Sequence, residues 1–398
     1  MSISRFLELI KLGENSRVEF KSSGFRNESL AKEIVAFANI KGGTIFVGVE
    51  DNGEISGVEN SQDLMERIIQ ICRNNIQPPL IPELISIPHQ DKYIVVIEIE
   101  KGICKPYKVK SLNRYYIRAG TVAIEPTQEE LVRLLQDGGQ FHFEISSLPG
   151  TGIIDLEPLR LGYYCQKMRD LSAEENNPRT WYNLQIIDEQ ERLTIAGGLF
   201  FSRQVARILP QAGIELNAFS GNDISSPIID SLTLTETIPE AIEVSESFVR
   251  RNSRHLPIFN PEETRRYDLP DYQPFVIREL LVNAFAHRDW SIFGQRIRLC
   301  LFGDRLEIFS PGSLPNTLNL ERALAGISYY RNPLIAQMLK DYGLMDRLGR
   351  GLFKIIKFYR SQNLLPPNFE STNAFLKTTI YKTEHIDATS KFYARDED

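Results

Sequence analysis

Between Glu14 and Val58 the chain reads ENSRVEFKSSGFRNESLAKEIVAFANIKGGTIFVGVEDNGEISGV, and few folds accommodate that order of local signals. A short strand is expected over residues 17–21. A helix follows over 28–39, with Asn27 as its cap and Gly42-Gly43 as its stop. An apolar run, 44–49, and a second arm, 54–58, then flank Asp51-Asn52-Gly53, where Asn-Gly supplies the positive φ angles of a tight hairpin. In a strand, residues two apart face the same way, so Glu19 and Lys21 project side by side. Glu14 lies just upstream, and the hairpin can return Asp51 to the same end. Three carboxylates and a lysine can hold a divalent metal and steady a phosphate. The other reading of the same residues makes Glu19 and Lys21 solvated strand positions and Asp51 a turn former.

The composition sets the wider frame. The chain has 398 residues, 42% of them apolar and 25% charged, which fits a soluble globular protein of two or three domains. It shows no apolar run of about 18 residues and no charged-then-apolar leader, so a cytoplasmic protein without a membrane partner is expected. Cys72, Cys104, Cys165 and Cys300 have neither disulfide nor zinc spacing, and the five histidines do not cluster. A net charge of −6 argues against indiscriminate nucleic-acid binding, so any such surface is local. The best local candidate is KGICKPYKVKSLNRYYIRAG, residues 101–120, with six basic residues and no acidic one. Lys108 and Lys110 share one strand face, and Arg114, Tyr116 and Arg118 another. Cations interleaved with tyrosines suit a phosphate track with stacking platforms. They also suit an edge strand guarded by lysines.

The motifs E-N-S-R-V-E-F-K, LAKEIVAFAN-x-KGG and IFVGVEDNGEISGV resemble, in that order, the Schlafen-type AlbA-like domain. The resemblance covers residues 1–137. In nucleolytic Schlafens two glutamates and a downstream acid form the active centre. The resemblance carries these onto Glu14, Glu19 and Asp51, with Glu50 competing for the third place and Lys21 beside them. It implies metal-dependent cleavage with Mg²⁺ or Mn²⁺, of structured RNA such as tRNA ahead of DNA, in stress or phage defence. Other relatives only bind DNA, so a non-catalytic, ATP-responsive transcriptional regulator is the alternative.

A middle region, 153–258, opens with helical segments at 157–169 and 173–184. IIDEQERLTIAGGLFF then reads as a turn and an apolar strand, the order of a winged helix. Glu174 and Glu175 outweigh Arg179 on the would-be recognition helix, which favours a structural role. The rear domain, 259–382, opens with PFVIRELLVNAFAHRDW, residues 274–290. There Glu279, Asn283 and His287 stand four apart on an otherwise apolar helix. A polar stripe of that kind needs partners, and a nucleotide with its metal supplies them. Strands are expected at 296–302 and 305–309. In DRLGRGLFKIIKFYR, Gly349 and Gly351 open a helix whose free N–H groups can cradle phosphate. This set resembles the GHKL-type ATP-binding fold of gyrases, histidine kinases and mismatch-repair proteins. That resemblance implies a water-activating Glu279, a magnesium-holding Asn283, and phosphates at Gly349 and Gly351. The family's adenine-reading Asp-x-Gly-x-Gly box is absent. FSPGSLP stands in its place and keeps only Gly312, so weak base discrimination is expected. The fold class is α/β (α+β): an AlbA-like domain, a small winged-helix-like middle, a GHKL-type sandwich, and a flexible tail at 383–398. ATP is the expected cofactor beside the metal ion, and homo-oligomerisation is left open.

Overall fold

The computed structural model describes residues 3–259, 266–312, 330–346, 350–372 and 374–382. The chain divides into two compact units, Met1–Phe141 and His142–Asp398. Among the described residues no helix is long and apolar enough to cross a membrane.

The front unit runs α1 (Ile3–Leu12), β1 (Val18–Lys21), α2 (Asn27–Asn39), β2 (Gly43–Val47), α3 (Ser61–Asn74), β3 (Ile76–Gln77), β4 (Glu83–His89), β5 (Lys92–Ile99), β6 (Lys108–Val109), β7 (Arg114–Tyr115), β8 (Ile117–Ala119), β9 (Val122–Ile124) and α4 (Gln128–Asp137). Its main sheet has the order β1-β2-β5-β4, with β1 and β2 parallel and the other pairs antiparallel. A parallel pair needs a crossover, and α2 supplies it. The pleat sends Ile45, Val47, Val95 and Ile97 to the α2–α3 side and Phe46, Ile94 and Val96 to the other, where Leu9 and Ile10 of α1 pack. Both faces are therefore core, which explains the uninterrupted apolar runs of β2 and β5.

Two local expectations change. The 54–58 arm is no strand. Gly48, at φ +95°, ends β2, single bridges join Val49 to Ile55 and Val58 to Tyr93, and only the turn closed by Glu50 and Glu54 survives. Asn27 is the first residue of α2 rather than its cap, because its side-chain oxygen is taken by Arg67.

The rear unit runs α5 (Pro158–Tyr163), continued by one wider turn over Tyr164–Met168, then α6 (Pro178–Asn183), α7 (Ile195–Phe201), α8 (Val205–Ile208), β10 (Ile214–Phe219), β11 (Ile228–Leu234), α9 (Ile238–Asn252), β12 (His255–Phe259), β13 (Arg266–Pro270), α10 (Pro274–His287), β14 (Ile297–Leu301), β15 (Arg305–Pro311), α11 (Pro333–Asp341), α12 (Gly351–Ser361), β16 (Asn368–Ser371) and β17 (Phe375–Tyr381). Its six-stranded sheet has the order β11-β10-β14-β15-β17-β16, in which only β10 and β14 are parallel. Helices α9 and α10 share one core with the sheet strands. The sheet thus takes β10 and β11 from before the domain start expected at residue 259, and the chain divides in two rather than three. The wing is absent as well. IAGGLFF forms α7, capped by Thr194, whose hydroxyl accepts from the Gly197 N–H at 3.0 Å. A short apolar run reads equally as strand or buried helix, and here the threonine cap selects helix. The tail at 383–398 lies outside the described residues.

Candidate functional sites

In β1, Val18 and Phe20 join the core on the α1 side, so Glu19 and Lys21 face α2. That face is covered. Glu19 is 5% exposed, which removes the reading of it as a solvated strand residue. One carboxylate oxygen accepts from Lys21 Nζ, and the other lies 2.6 Å from Nη2 of Arg118. Arg118, on β8, also donates to Glu33 of α2 at 2.7 Å and to the Asn15 carbonyl at 3.2 Å, and its guanidinium lies over the Phe37 ring. Burial, then the Glu19 charge, pushes the Glu33 carboxyl above its ordinary range. Glu14 accepts from the Phe20 N–H at 2.9 Å and so clasps the bend into β1. Asp51 is exposed at the tip of its turn, and Glu50 is half-buried.

This donor set does not fit a metal ion as it stands. Both Glu19 oxygens and one of Glu14 are engaged, and among the described residues no three His, Cys, Asp or Glu side chains are placed to hold one. Glu33 was missed in the sequence. The signal was there, because it is a carboxylate amid the buried apolar residues of α2.

The basic stretch splits into exposed and internal parts. Lys108 pairs with Tyr115 and Val109 with Arg114 across β6–β7. Lys110 and Arg114 are exposed and Lys108 is half-buried. Arg114 meets Glu125 at 2.6 Å, and Lys108 donates to Asn113 at 2.7 Å. Tyr116 and Arg118, expected on the same outer face, are buried, because the chain leaves β7 at Tyr116 and enters β8 against α2. The Tyr116 carbonyl accepts from Asn39, which also brackets the backbone of Tyr107. Lys105 is internal too. It donates to the Ile40 carbonyl at 3.1 Å, and burial pushes its amine down to about 8.

In the rear unit, Glu279, Asn283 and His287 do form one stripe of α10, each half-buried between apolar neighbours. The Asn283 amide donates to Glu279 Oε1 at 3.0 Å. Desolvation raises the Glu279 carboxyl above its ordinary range. His287 stacks on Tyr330 at 6.0 Å, its Nδ1 is buried without a partner, and burial followed by the Arg331 charge pushes the imidazole down to about 4. Gly351 starts α12, and a Cβ added there would lie 1.6 Å from Glu279 Oε1. Two stretches some seventy residues apart in sequence thus meet where only glycine fits. Gly312, at φ +107°, backs onto Asp289, whose carboxylate is held by Ser291 and Arg331. Gly349 and the end of FSPGSLP lie outside the described residues.

The family model described as "Schlafen, AlbA_2" matches residues 14–125. The front unit is a Schlafen AlbA_2 domain. A second model, "Putative ATP-dependent DNA helicase recG C-terminal", matches residues 294–380, the later part of the rear sheet. No curated protein matches the chain in sequence. Among solved structures, the DIP2311 protein from Corynebacterium diphtheriae is 20% identical over 96% of this chain and 80% of its own, with a TM-score of 0.49. The N-terminal domain of a putative ATP-dependent DNA helicase RecG-related protein from Nitrosomonas europaea is 20% identical over 32% of this chain and 93% of its own, with a TM-score of 0.26.

Proposed function

We propose that the protein is a nucleotide-responsive nucleic-acid-binding regulator. Its AlbA_2 domain binds nucleic acid, and its rear unit binds ATP. The observation that carries this reading is the meeting of Gly351 with Glu279. A helix start with no side-chain cap faces a carboxylate–amide pair that, among the described residues, has no ion-pair partner, and a magnesium nucleotide complements both. Phosphate oxygens would take the α12 donors, Asn283 would offer its carbonyl oxygen to the metal, and Glu279 would orient water. The recG-type match supports the same assignment. Nucleic acid would lie along Lys108, Lys110 and Arg114. Calorimetry with ATP, GTP and ADP, each with and without Mg²⁺, tests the rear site. Binding that requires Mg²⁺ and is lost in Asn283→Ala is expected. No binding at millimolar nucleotide would sink the reading.

A second reading is metal-dependent cleavage, of structured RNA ahead of DNA. It is favoured by the Glu19–Lys21 pair beside Glu14, since a lysine next to a carboxylate can steady the charge that develops on phosphate. It requires Glu19 to leave Arg118. Incubation with tRNA and with duplex DNA, plus Mn²⁺ or Mg²⁺, separates the two readings. Cutting that disappears in Glu19→Gln supports cleavage, and intact substrate under every condition leaves the regulator alone.

A further inference from the structure

Phe141 ends the front unit, and the residues after it already belong to the rear one. The first of these make a three-residue turn, Phe143–Ile145, whose Glu144 is 0% exposed. Its two carboxylate oxygens accept from the backbone N–H groups of Leu334 and Ile335, each at 2.7 Å. Those are first-turn donors of α11 that have no partner within the helix, and Pro333 before them has no N–H to offer. The positive end of the helix adds to the hold. Phe143 meets Phe293, in the loop after α10, edge to face at 6.1 Å.

The same helix start also holds α10 at its C-terminal end. Asn332 donates to the carbonyls of Ala286 and Arg288 at 2.9 and 2.8 Å, which closes the last turn of α10. Arg331 meets Asp289 at 2.7 Å, and Tyr330 stacks on His287. Three consecutive residues thus fix the end of the helix that carries Glu279 and Asn283. A bidentate contact from the departing chain fixes the helix that those three residues lead into. Packed, hydrogen-bonded joints of this kind shift as units rather than stretch.

We propose that Glu144 is a positioning residue and a strap. Through α11 and Asn332 it couples nucleotide occupancy at Glu279, Asn283 and Gly351 to the segment leading out of the AlbA_2 domain. The proposal rests on the nucleotide-binding reading above. By reciprocity, whatever nucleotide does to the seating of residues 142–145, that seating does to nucleotide affinity. A static helix cap would hold α11 equally with or without ligand.

The test uses the full chain as wild type, Glu144→Gln and Glu144→Asp, with ATP and Mg²⁺ and a fluorescent tRNA or DNA duplex. In the wild type, ATP should slow hydrogen exchange in peptides covering 142–148 and 330–341. It should also change oligonucleotide affinity about fivefold or more, the lower end of usual coupling. Glu144→Gln keeps the size but replaces an acceptor oxygen with a donor facing a donor. It should bind oligonucleotide as the wild type does without ATP, yet respond to ATP less than about twofold. Glu144→Asp, which retains the charge, should recover part of the response. A full response in Glu144→Gln overturns the strap and leaves the nucleotide reading standing. Failure of the wild type to bind ATP overturns both. Should Glu144→Gln not fold, the wild-type exchange decides, and unchanged protection at 142–148 on adding ATP overturns the strap.

Discussion

Glu19 in the front unit and Glu279 in the rear unit are both carboxylates drawn out of water, and they are met differently. Glu19 touches two cations, and a second carboxylate, Glu33, shares one of them. Glu279 touches an amide and a glycine, with Lys354 acting on it only through space. Among the described residues, the front cluster is therefore met by cations of its own chain within ion-pair distance, and Glu279 by none. Glu144 is a third case, held by backbone amides at a helix start. Cations of the chain on a buried carboxylate thus mark architecture, and a helix start can do the same, whereas a carboxylate met only by an amide and a glycine is the one to test for a ligand.

The largest effect should come from removing the front cluster's shared cation. Arg118→Met leaves Glu19 and Glu33 buried with Lys21 and the more distant Lys32 acting on them, and breaking a buried pair from one side costs about 3–5 kcal/mol. Hydrogen exchange of the β2 and β5 amides should report that loss, while Arg118→Lys keeps part of it. A loss under about 1 kcal/mol would mean that Glu19 is wet or otherwise neutralised, and the contrast with Glu279 would collapse.

Next comes pH. Burial pushes the Glu144 carboxyl up to about 7 from its ordinary 4.5, against the pull of its two N–H donors. The folded state then holds the proton more tightly than the unfolded one. The stabilisation is fully present below about pH 4.5 and is lost as pH rises through about 7, by roughly 3 kcal/mol over the window. Both tryptophans, Trp181 and Trp290, lie in the rear unit, so their fluorescence follows its unfolding alone. His287, whose imidazole is pushed down to about 4, gives both proteins a stability that rises with pH over much of the same window, so the expected result is a difference: the wild type loses stability relative to Glu144→Gln as pH rises through about 7. Parallel curves would place the titration elsewhere.

Gly351→Ala should act on binding rather than stability. Its Cβ would enter the space of Glu279 Oε1, so the carboxylate must swing away and α12 must shift. A loss of nucleotide affinity of about a hundredfold, or roughly 2.7 kcal/mol, is expected by calorimetry. Near-native affinity would mean that phosphate is held away from the start of α12.

Much of this was legible in the sequence, and the rest was not for identifiable reasons. The β1–α2–β2 unit, the stripe on α10 and the β14–β15 pair followed from periodicity and glycine punctuation, which are local. The fates of Tyr116 and Arg118 did not, because a strand pattern shows which residues share a face and not what covers that face. The carboxylates that Arg118 meets come from 85 and 99 residues away in sequence. IAGGLFF failed for a different reason. Seven apolar and glycine residues carry no period, and Thr194 decided between helix and strand. The rear sheet's first strands fall in the expected middle region because β10 and β14 pair across a strand, two helices and a hairpin.

The smallest expected effect concerns the cations left outside once Lys105 and Arg118 are recognised as internal. Lys108, Lys110 and Arg114 remain on or near the surface, and two have weak exposed partners, Asn113 and Glu125. Exposed pairs of that kind are worth about 0–1 kcal/mol, so a phosphate can displace them. Each phosphate contact contributes about 0.7–0.9 to the slope of log affinity against log salt. Reversing all three charges should therefore flatten the slope by about 2–3 and weaken binding at low salt, with the fold intact. Replacing Tyr116 with Phe should change neither, because Tyr116 is inside, its carbonyl accepts from Asn39, and phenylalanine keeps the ring over which Lys32 lies. An unchanged slope in the triple variant would return the β6–β7 edge to the role of a lysine-guarded strand, and would move the nucleic-acid surface off this hairpin altogether.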